Sequence, residues 1–287
     1  MPLLLGAHVS IAGGIEKAIS RGEEIGCTAI QVFTRNASRW QSKPLDVDAV
    51  ASFRTAFSQS SIDYVAAHDS YLINLASPDE QLRKKSIDAF LDEMERCHQL
   101  GINDLVMHPG AHMGVGIEIG LKTLAASFQS IFRQAPPNVR VLLENTAGQG
   151  TSLGSKFEEL AEILSRVAVG SLACCVDTCH AFAAGYDLSS YNGYCETMEQ
   201  FDRLIGTERI VLFHLNDSKK ECGSRVDRHE HVGKGFIGRI GFQALMQDPR
   251  FKQVAKIIET PGGDQHQHDL ENLALLREMA RVEREIC

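Results

Sequence analysis

The chain has 287 residues, of which 44% are apolar and 23% are charged, and its formal net charge is −8. This length suits one α/β barrel domain spanning residues 1–287, and the apolar content is sufficient for its core. The acidic balance argues against indiscriminate binding of nucleic acid through a basic surface, so a nucleic-acid substrate would need a local positive site.

Nothing in the sequence indicates a membrane segment or an exported protein. The apolar runs, such as residues 2–5 and 210–213, are far shorter than the roughly 20 residues that a membrane span needs. The N-terminus lacks the basic region and long apolar segment of a signal peptide. We therefore expect a cytoplasmic protein, with no membrane association, whose eight cysteines are mostly reduced thiols.

Short β-branched or apolar runs alternate with longer amphipathic segments, which is typical of a parallel sheet built from βα units. The amphipathic segments include residues 78–100, 157–167 and 269–286. Because eight such units follow one another without a linker or a break in composition, we predict an α/β fold, a closed (β/α)8 TIM barrel forming a single domain. The predicted strands are residues 3–9, 28–33, 63–68, 104–108, 139–144, 172–177, 209–214 and 254–259.

Two predicted connections are unusually long, at residues 185–193 and 215–239. Long loops in compact domains are usually functional. Both follow predicted strands, so in a barrel they lie on the C-terminal face, where active sites are built.

The last six predicted strands each end in a residue type that ligates metals. A single residue of this kind is as easily a helix cap or a solvated loop residue. Six of them at one barrel mouth would be costly without cations, because desolvation and repulsion between the carboxylates have no compensation. The pattern therefore indicates bound divalent metals. These residues are His68, His108, Glu144, Asp177, His214 and Glu259.

Three further candidates lie in the loops that follow the sixth and seventh strands: His180, Asp227 and His229. Nine ligands are too many for one zinc ion, which takes about four, and suit three ions that share a carboxylate. Imidazole and carboxylate ligands without thiolate fit zinc, with manganese as the main competitor.

Several segments resemble the endonuclease IV family of apurinic/apyrimidinic (AP) endonucleases, the zinc-dependent AP endonuclease family 2. The resemblance covers nearly the whole chain, from Gly6 to Thr260. It implies a trinuclear zinc barrel that cleaves the phosphodiester on the 5′ side of an abasic nucleotide in duplex DNA. The segments are 68–75 (HDSYLINL), 108–112 (HPGAH), 143–150 (LENTAGQG), 176–182 (VDTCHAF), 214–219 (HLNDSK) and 224–229 (SRVDRH).

The resemblance also implies how the nine ligands are divided among three zinc ions. The first two groups would share one bridging carboxylate, and the third would lie mainly in the loops. The expected groups are His68, His108 and Glu144; Asp177, His214 and Glu259, bridged by Glu144; and His180, Asp227 and His229.

Catalysis is expected to depend on three of these carboxylates. Metal coordination lowers the pKa of water from 15.7 to about 7, which provides a hydroxide nucleophile at neutral pH. Glu144, the bridging residue, and Asp177 would position this nucleophile, with Glu259 completing the catalytic set. The products would be a 3′-hydroxyl and a 5′-deoxyribose phosphate, as in base excision repair.

Two segments resemble the family's loops that enter the DNA minor groove. They contain Arg35, Asn36, Arg39 and Trp40, and then Tyr71 and Leu72, while the long seventh loop adds Lys219 and Arg228. Flipping a nucleotide costs least where pairing is already lost, which favours abasic DNA. The family pattern has its arginine one position before Arg39, and insertion of Arg39 into the groove is the hypothesis adopted here.

The main enzymatic alternative is a metal-dependent sugar isomerase or epimerase with the same barrel. That alternative gives no reason for the third ligand group or for the basic loops. A non-enzymatic protein that binds damaged DNA or stores zinc is the other alternative. On the main hypothesis we expect a monomer without an obligate protein partner, acting at the nucleoid if the source is bacterial, on duplex DNA with abasic or 3′-blocked sites.

Overall fold

In the computed structural model, residues 2–167, 172–261 and 266–281 are described. Eight parallel strands of this part of the chain close into a barrel, with each strand paired to its neighbours in chain order and the last paired to the first. The predicted α/β barrel is therefore confirmed. The barrel strands are β1 (Leu5–His8), β2 (Ala29–Phe33), β3 (Tyr64–His68), β4 (Asp104–Met107), β5 (Arg140–Glu144), β6 (Leu172–Asp177), β7 (Ile210–His214) and β10 (Ala255–Ile258).

Helices follow the strands and pack around the barrel. Local chemistry sets several of their ends: Asp46, Asp79 and Ser190 accept backbone N–H groups at N-termini, and Gly101 ends the longest helix in a left-handed conformation. The helices are α1 (Lys17–Glu24), α2 (Val47–Gln59), α3 (Glu80–Leu100), α4 (Ile117–Phe132), α5 (Phe157–Arg166), α6 (Thr178–Ala184), α7 (Tyr191–Leu204), α8 (Gly238–Gln247) and α9 (Gln267–Ala280).

The core has two layers because successive strand side chains point to opposite faces of the sheet. In β5, Val141 and Leu143 pack outward against the helices, whereas Leu142 belongs to a small cluster inside the barrel. The same alternation directs Glu144, the next inward position, into the barrel at its C-terminal mouth. The alternation of side chains along each strand therefore brings the strand-end residues together at the C-terminal mouth of the barrel.

Two local features differ from the sequence-based expectations. The short helix α6 was not predicted, and the long seventh loop contains a two-stranded hairpin, β8 (Asp217–Ser218) with β9 (His229–Glu230). Helix α9 ends at Ala280, and the remainder of its predicted range lies beyond the described residues, which end at 281. In the described part of the chain, no helix has the length and apolar character needed to cross a membrane.

Candidate metal centre

Glu144 lies at the middle of the barrel mouth and is fully buried. Its Oε2 is 3.2 Å from Nε2 of His68 and 3.1 Å from Nε2 of His108. Its Oε1 is 3.0 Å from Nδ1 of His214 and 3.2 Å from Nδ1 of His180. One carboxylate therefore faces four imidazoles, which is the arrangement expected of a group shared between metal ions.

The first group of potential ligands is formed by His68, His108 and Glu144, whose ligand atoms lie within 4.8 Å of one another. The orientation of the His68 ring is fixed by a hydrogen bond, because its Nδ1 is 2.9 Å from the backbone oxygen of Asp69. A proton held on Nδ1 by this carbonyl leaves Nε2 free to bind a metal.

The second group consists of Glu144, Asp177, His214 and Glu259. Nδ1 of His214 is 3.3 Å from Oε2 of Glu259 and 4.0 Å from Oδ2 of Asp177. Asn216 links Asp177 to Glu259: its amide nitrogen donates to the Asp177 carboxylate over 2.6 Å, and its oxygen accepts from the Glu259 backbone N–H over 2.8 Å. The four side chains come from β5, β6, β7 and the end of β10.

The third group, His180, Asp227 and His229, combines α6 with the seventh loop. Asp177 caps α6 by accepting the backbone N–H of His180, which places that histidine one turn beyond the strand end. Nε2 of His180 and Nε2 of His229 each lie 3.2 Å from the Asp227 carboxylate, on different oxygens. All nine residues singled out in the sequence are therefore brought together, in the three expected groups.

The charges at this mouth are arranged to hold cations. Burial alone raises the pKa of Glu144, but the charges of His214 and His108 outweigh it and hold that pKa well below its usual range. Burial alone lowers the pKa of His68, but the hydrogen bond and charge of Glu144 raise it to about 10. The buried carboxylates therefore need positive charge beside them, and either protonated histidines or metal ions can supply it.

Two cysteine thiols also lie near these groups but are poor candidate ligands. Cys175 lies within reach of Glu144 and His214, and Cys179 lies within reach of Asp177. Burial raises the pKa of each thiol to about 12, and the thiolate is the form that binds metals. Imidazole and carboxylate groups remain as the donor set.

The seventh loop is held in place by Asp217. Its carboxylate accepts the backbone N–H groups of Ser218, Gly235, Ile237 and Gly238 at 2.7, 2.9, 2.9 and 3.2 Å. A Cβ on Gly235 would lie 2.3 Å from the Ser218 carbonyl oxygen, so this approach requires glycine. The hairpin that presents the third group is thus anchored by one buried carboxylate.

A cleft of about 370 Å³ opens beside the first and third groups. It reaches His108, His180 and Asp227 on the metal-facing side and Tyr71 at the rim. Tyr71 is 68% exposed, and its ring packs edge-on against Phe33. The cleft therefore gives access from the surface to candidate ligands of the first and third groups.

The prediction that Arg35 contacts DNA is not supported by its position. Its side chain is almost completely buried, and Nε donates to Oε1 of Glu93 over 2.7 Å. Nη1 donates to the backbone oxygens of Arg39 and Trp40 over 2.6 and 3.1 Å. Arg35 therefore holds the loop in shape from its buried side, and its guanidinium group is not accessible to a DNA phosphate. Of the two arginines on this loop, only Arg39 is exposed and able to contact DNA.

The other predicted DNA contacts lie at the surface around the mouth. Asn36 is exposed, and its carboxamide oxygen accepts the Ser38 N–H, so it closes the turn before Arg39. Trp40 is half-buried against the core, with Nζ of Lys85 4.2 Å from its ring centre. Trp40 therefore anchors this loop.

Tyr71 and Leu72 stand on the loop after β3, the first exposed and the second half-buried. This loop is tied to the preceding one because the Ser70 hydroxyl donates to the Ala37 carbonyl over 2.5 Å. Lys219 and Arg228 are exposed and face each other on the hairpin, where the Lys219 N–H donates to the Arg228 carbonyl over 2.9 Å.

Three buried side-chain amides contact the candidate metal ligands but were not predicted as site residues from the sequence. Asn145 exchanges hydrogen bonds with the backbone of Asp177, and Asn216 joins Asp177 to Glu259. Gln31 contacts Glu259 and also His214. The available signal was a polar amide within or directly beside an apolar strand.

Comparison with known proteins agrees with this arrangement. The family model described as a xylose isomerase-like TIM barrel matches residues 19–280. A probable endonuclease 4 from Geobacter sulfurreducens is 50% identical over 279 residues, which cover 96% of this chain and 94% of the relative. The crystal structure of endonuclease IV from Thermus thermophilus is 35% identical, with a TM-score of 0.86 and coverage of 98% of this chain and 99% of that chain.

A 3-keto-D-glucoside 4-epimerase from E. coli also superposes, with a TM-score of 0.72 over 96% of this chain and 100% of the epimerase. Its sequence identity is 14%, so this likeness concerns the fold alone. The identity to the Geobacter protein extends over almost the full length of both chains. This chain therefore belongs to the endonuclease IV family within the xylose isomerase-like TIM barrels.

Proposed function

We propose that this protein is a zinc-dependent AP endonuclease that hydrolyses the DNA phosphodiester on the 5′ side of an abasic site, leaving a 3′-hydroxyl and a 5′-deoxyribose phosphate. The observation that carries the proposal is the convergence of three ligand groups on one barrel mouth, with Glu144 shared by two of them. Family membership supports the same activity.

The residues present fit bound metal ions. Nε2 of His229 is buried and lies 3.2 Å from Oδ1 of Asp227, but it makes no well-aligned hydrogen bond. A buried imidazole nitrogen in this position is costly, and a metal ion held by His229 and Asp227 would satisfy it. Imidazole and carboxylate donors, arranged in groups of three or four, suit zinc, with manganese as a competitor.

Divalent metals bound here would lower the pKa of a water molecule to about 7 and offset the charge of the scissile phosphate. The protein's own side chains set the geometry around them. Glu144 lies between the first two groups and Asp177 reaches toward the third, with Oδ2 3.8 Å from Nε2 of His229. Glu259 borders the second group beside His214. These carboxylates would orient the nucleophile.

The surface around the mouth suits DNA despite the net charge of −8. Arg39, Lys219 and Arg228 are exposed on loops that border the site. Tyr71 stands at the rim of the cleft and presents an exposed aromatic ring. Such a ring can stack where a nucleotide has left the duplex, and basic side chains can bind the flanking phosphates.

The sugar isomerase alternative is less well supported. A sugar isomerase or epimerase needs one or two metals, whereas this mouth presents a third group at His180, Asp227 and His229. A third cation would suit the charge that develops on a phosphate ester, and a neutral open-chain sugar carries no such charge.

The proposal is tested by combining metal analysis with incubation of a duplex that contains one abasic site. We expect about three zinc ions per chain, a single nick on the 5′ side of the lesion, loss of incision after strong chelation, and recovery with zinc. An undamaged duplex of the same sequence is the control. One metal per chain, or no incision by the metal-replete protein, would contradict the proposal.

The finer features of the activity are proposed on the same grounds. The same centre would remove blocking groups from 3′ ends, since those groups are also phosphate esters. The protein would act as a monomer in the cytoplasm, at the nucleoid of a bacterial cell, and would need no protein partner. Incision of a 3′-phosphoglycolate duplex and the mass of the protein in solution test these features.

A further inference from the structure

Gln31 is a polar side chain at an inward position of β2, directly above the layer of the barrel interior that carries small and aliphatic residues. Ala29 belongs to the inner core cluster, so strand alternation directs Gln31 to the same side, one layer nearer the mouth. Gln31 is completely buried. Its amide must therefore find its partners among the residues of the metal-facing layer.

The amide bridges two candidate metal ligands that come from different strands. Oε1 of Gln31 lies 2.8 Å from Nε2 of His214. Nε2 of Gln31 donates to Oε1 of Glu259 over 2.7 Å and lies 3.0 Å from Nδ1 of His8. His214 and Glu259 are 183 and 228 positions away from Gln31 in the chain.

The chemistry of the neighbours fixes the orientation of this amide. An ionised carboxylate only accepts hydrogen bonds, so the NH2 group of Gln31 must face Glu259 and its oxygen must face His214. His214 then has to carry a proton on Nε2. Its Nδ1 lone pair is left pointing at the second ligand group, 3.0 Å from Oε1 of Glu144 and 3.3 Å from Oε2 of Glu259.

We propose that Gln31 is the positioning residue of the second metal group: it selects the Nε2-protonated tautomer of His214 and holds Glu259 with Oε2 directed at the metal. This inference rests on the proposed function in treating the second group as a metal site. Ring-nitrogen partners of ligating histidines are usually carboxylates, carbonyls or waters, and removing one weakens metal binding by about ten- to a hundredfold.

The test uses the variants Q31M and Q31E. Methionine has a similar length and offers neither the donor nor the acceptor, so Q31M is expected to bind its weakest zinc ion about ten- to a hundredfold less tightly in competition with a chelator. Q31E keeps an acceptor opposite His214. In ¹⁵N spectra of the imidazoles, Q31E should retain the Nε2-protonated tautomer of His214, whereas Q31M should lose this preference.

A matched control is Q247M. Gln247 is also buried, and its Nε2 donates to the Met279 carbonyl over 3.1 Å, on α8 and away from the metal-facing layer. Q247M removes a buried amide hydrogen bond of the same kind, so it should leave zinc affinity and the His214 tautomer unchanged. The melting temperatures of the metal-free variants report any general loss of stability.

Wild-type zinc affinity together with an unchanged His214 tautomer in Q31M would overturn the inference. Equal losses of zinc affinity in Q31M and Q247M would also overturn it, because they would show a general destabilisation. A wild-type protein that binds zinc but does not nick abasic DNA contradicts the proposed function alone, and a zinc-affinity difference between Q31M and wild type would still support the role of Gln31.

Discussion

Arg35 and Glu93 form an ion pair with a 2.7 Å contact between Nε and Oε1, at a place where both side chains are 1% exposed. The pair joins the loop after β2 to α3, and the Thr34 hydroxyl donates to the same carboxylate. Because Arg35 also binds the Arg39 and Trp40 carbonyls, the pair determines the shape of the loop that presents Arg39.

Breaking this pair should therefore destabilise the protein. Removal of one partner leaves the other charge buried, so R35M and E93Q should each lower the free energy of unfolding by about 3–5 kcal/mol. Urea denaturation of metal-replete protein measures this change. R35M should also bind an abasic duplex more weakly with unchanged zinc content, because the loop loses its internal anchor.

The control for the buried pair is K84Q. Lys84 pairs with Asp88 on the same helix, but both side chains are well exposed, so K84Q should change stability little. The double variant R35M/E93Q should lose less stability than the two single losses combined, since neither charge is left unpaired. Additive losses would show that the two side chains act independently.

Arg39 and Tyr71 provide a second prediction, directed at DNA rather than at the fold. R39A and Y71A should raise KM for an abasic duplex, or weaken its binding, without loss of zinc, because both side chains are exposed beside the mouth and outside the ligand groups. Steady-state kinetics and zinc analysis of each variant test this expectation.

The matched control is R203A. Arg203 is an exposed arginine in the last turn of α7, which leads to the start of β7 and so lies at the opposite end of the barrel. R203A removes the same charge far from the mouth and should leave KM unchanged. A KM for R39A equal to that of the wild type would remove Arg39 from the DNA-binding surface.

The candidate ligands were predictable because the period of a strand is two and parallel strands end at the same edge. Residues such as His68 and His214 could be assigned to one mouth from their places at strand ends. No such rule predicts the positions of the loop residues Asp227 and His229, because the path of the seventh loop depends on Asp217 and its contacts with Gly235 and Ile237. Their grouping with His180 required the family resemblance.

The misassignment of Arg35 and the omission of Gln31 have a common physical cause. A basic residue in a loop suggests a contact with a DNA phosphate, whereas a glutamine within an apolar strand does not by itself suggest a functional role. Both roles are set by partners distant in the chain: Glu93 is 58 positions from Arg35, and Glu259 is 228 positions from Gln31. Local pattern alone therefore could not show that one side chain is buried or that the other bridges two ligands.

A third prediction concerns the metal group on the seventh loop. D227N should lower the zinc content by one ion per chain, because the Asp227 carboxylate is the element shared between His180 and His229. It should also reduce kcat more than it changes KM, since substrate binding depends mainly on the surrounding loops. Elemental analysis after gel filtration gives the zinc content, and single-nick assays give kcat.

E230Q is the appropriate control, because Glu230 lies on the same hairpin strand, next to His229, but outside the three ligand groups. The substitution makes the same change from carboxylate to carboxamide and should retain the wild-type zinc content. If D227N kept its full complement of zinc, the third group would not be a metal site.

Lys256 supplies a prediction about pH. Its side chain is buried in β10, and Nζ donates to the Phe251 and Val254 carbonyls over 2.6 and 2.8 Å. Burial lowers its pKa from 10.5 to about 8. Below pH 8 the amine is charged in both the folded and the unfolded chain, so the folded protein bears the full penalty of burying a charge. Between pH 8 and 10.5 the unfolded chain binds more protons, and stability therefore rises with pH.

The variant K256M should lack this rise. Relative to K256M, the wild type should gain up to about 3 kcal/mol in unfolding free energy between roughly pH 7.5 and pH 10.5, from a pKa difference worth about 1.36 kcal/mol per unit. Urea denaturation of both proteins at several pH values measures the difference, and effects of other titrating groups cancel because both proteins contain them. A difference that is constant over this range would mean that Lys256 keeps an ordinary pKa in the folded protein.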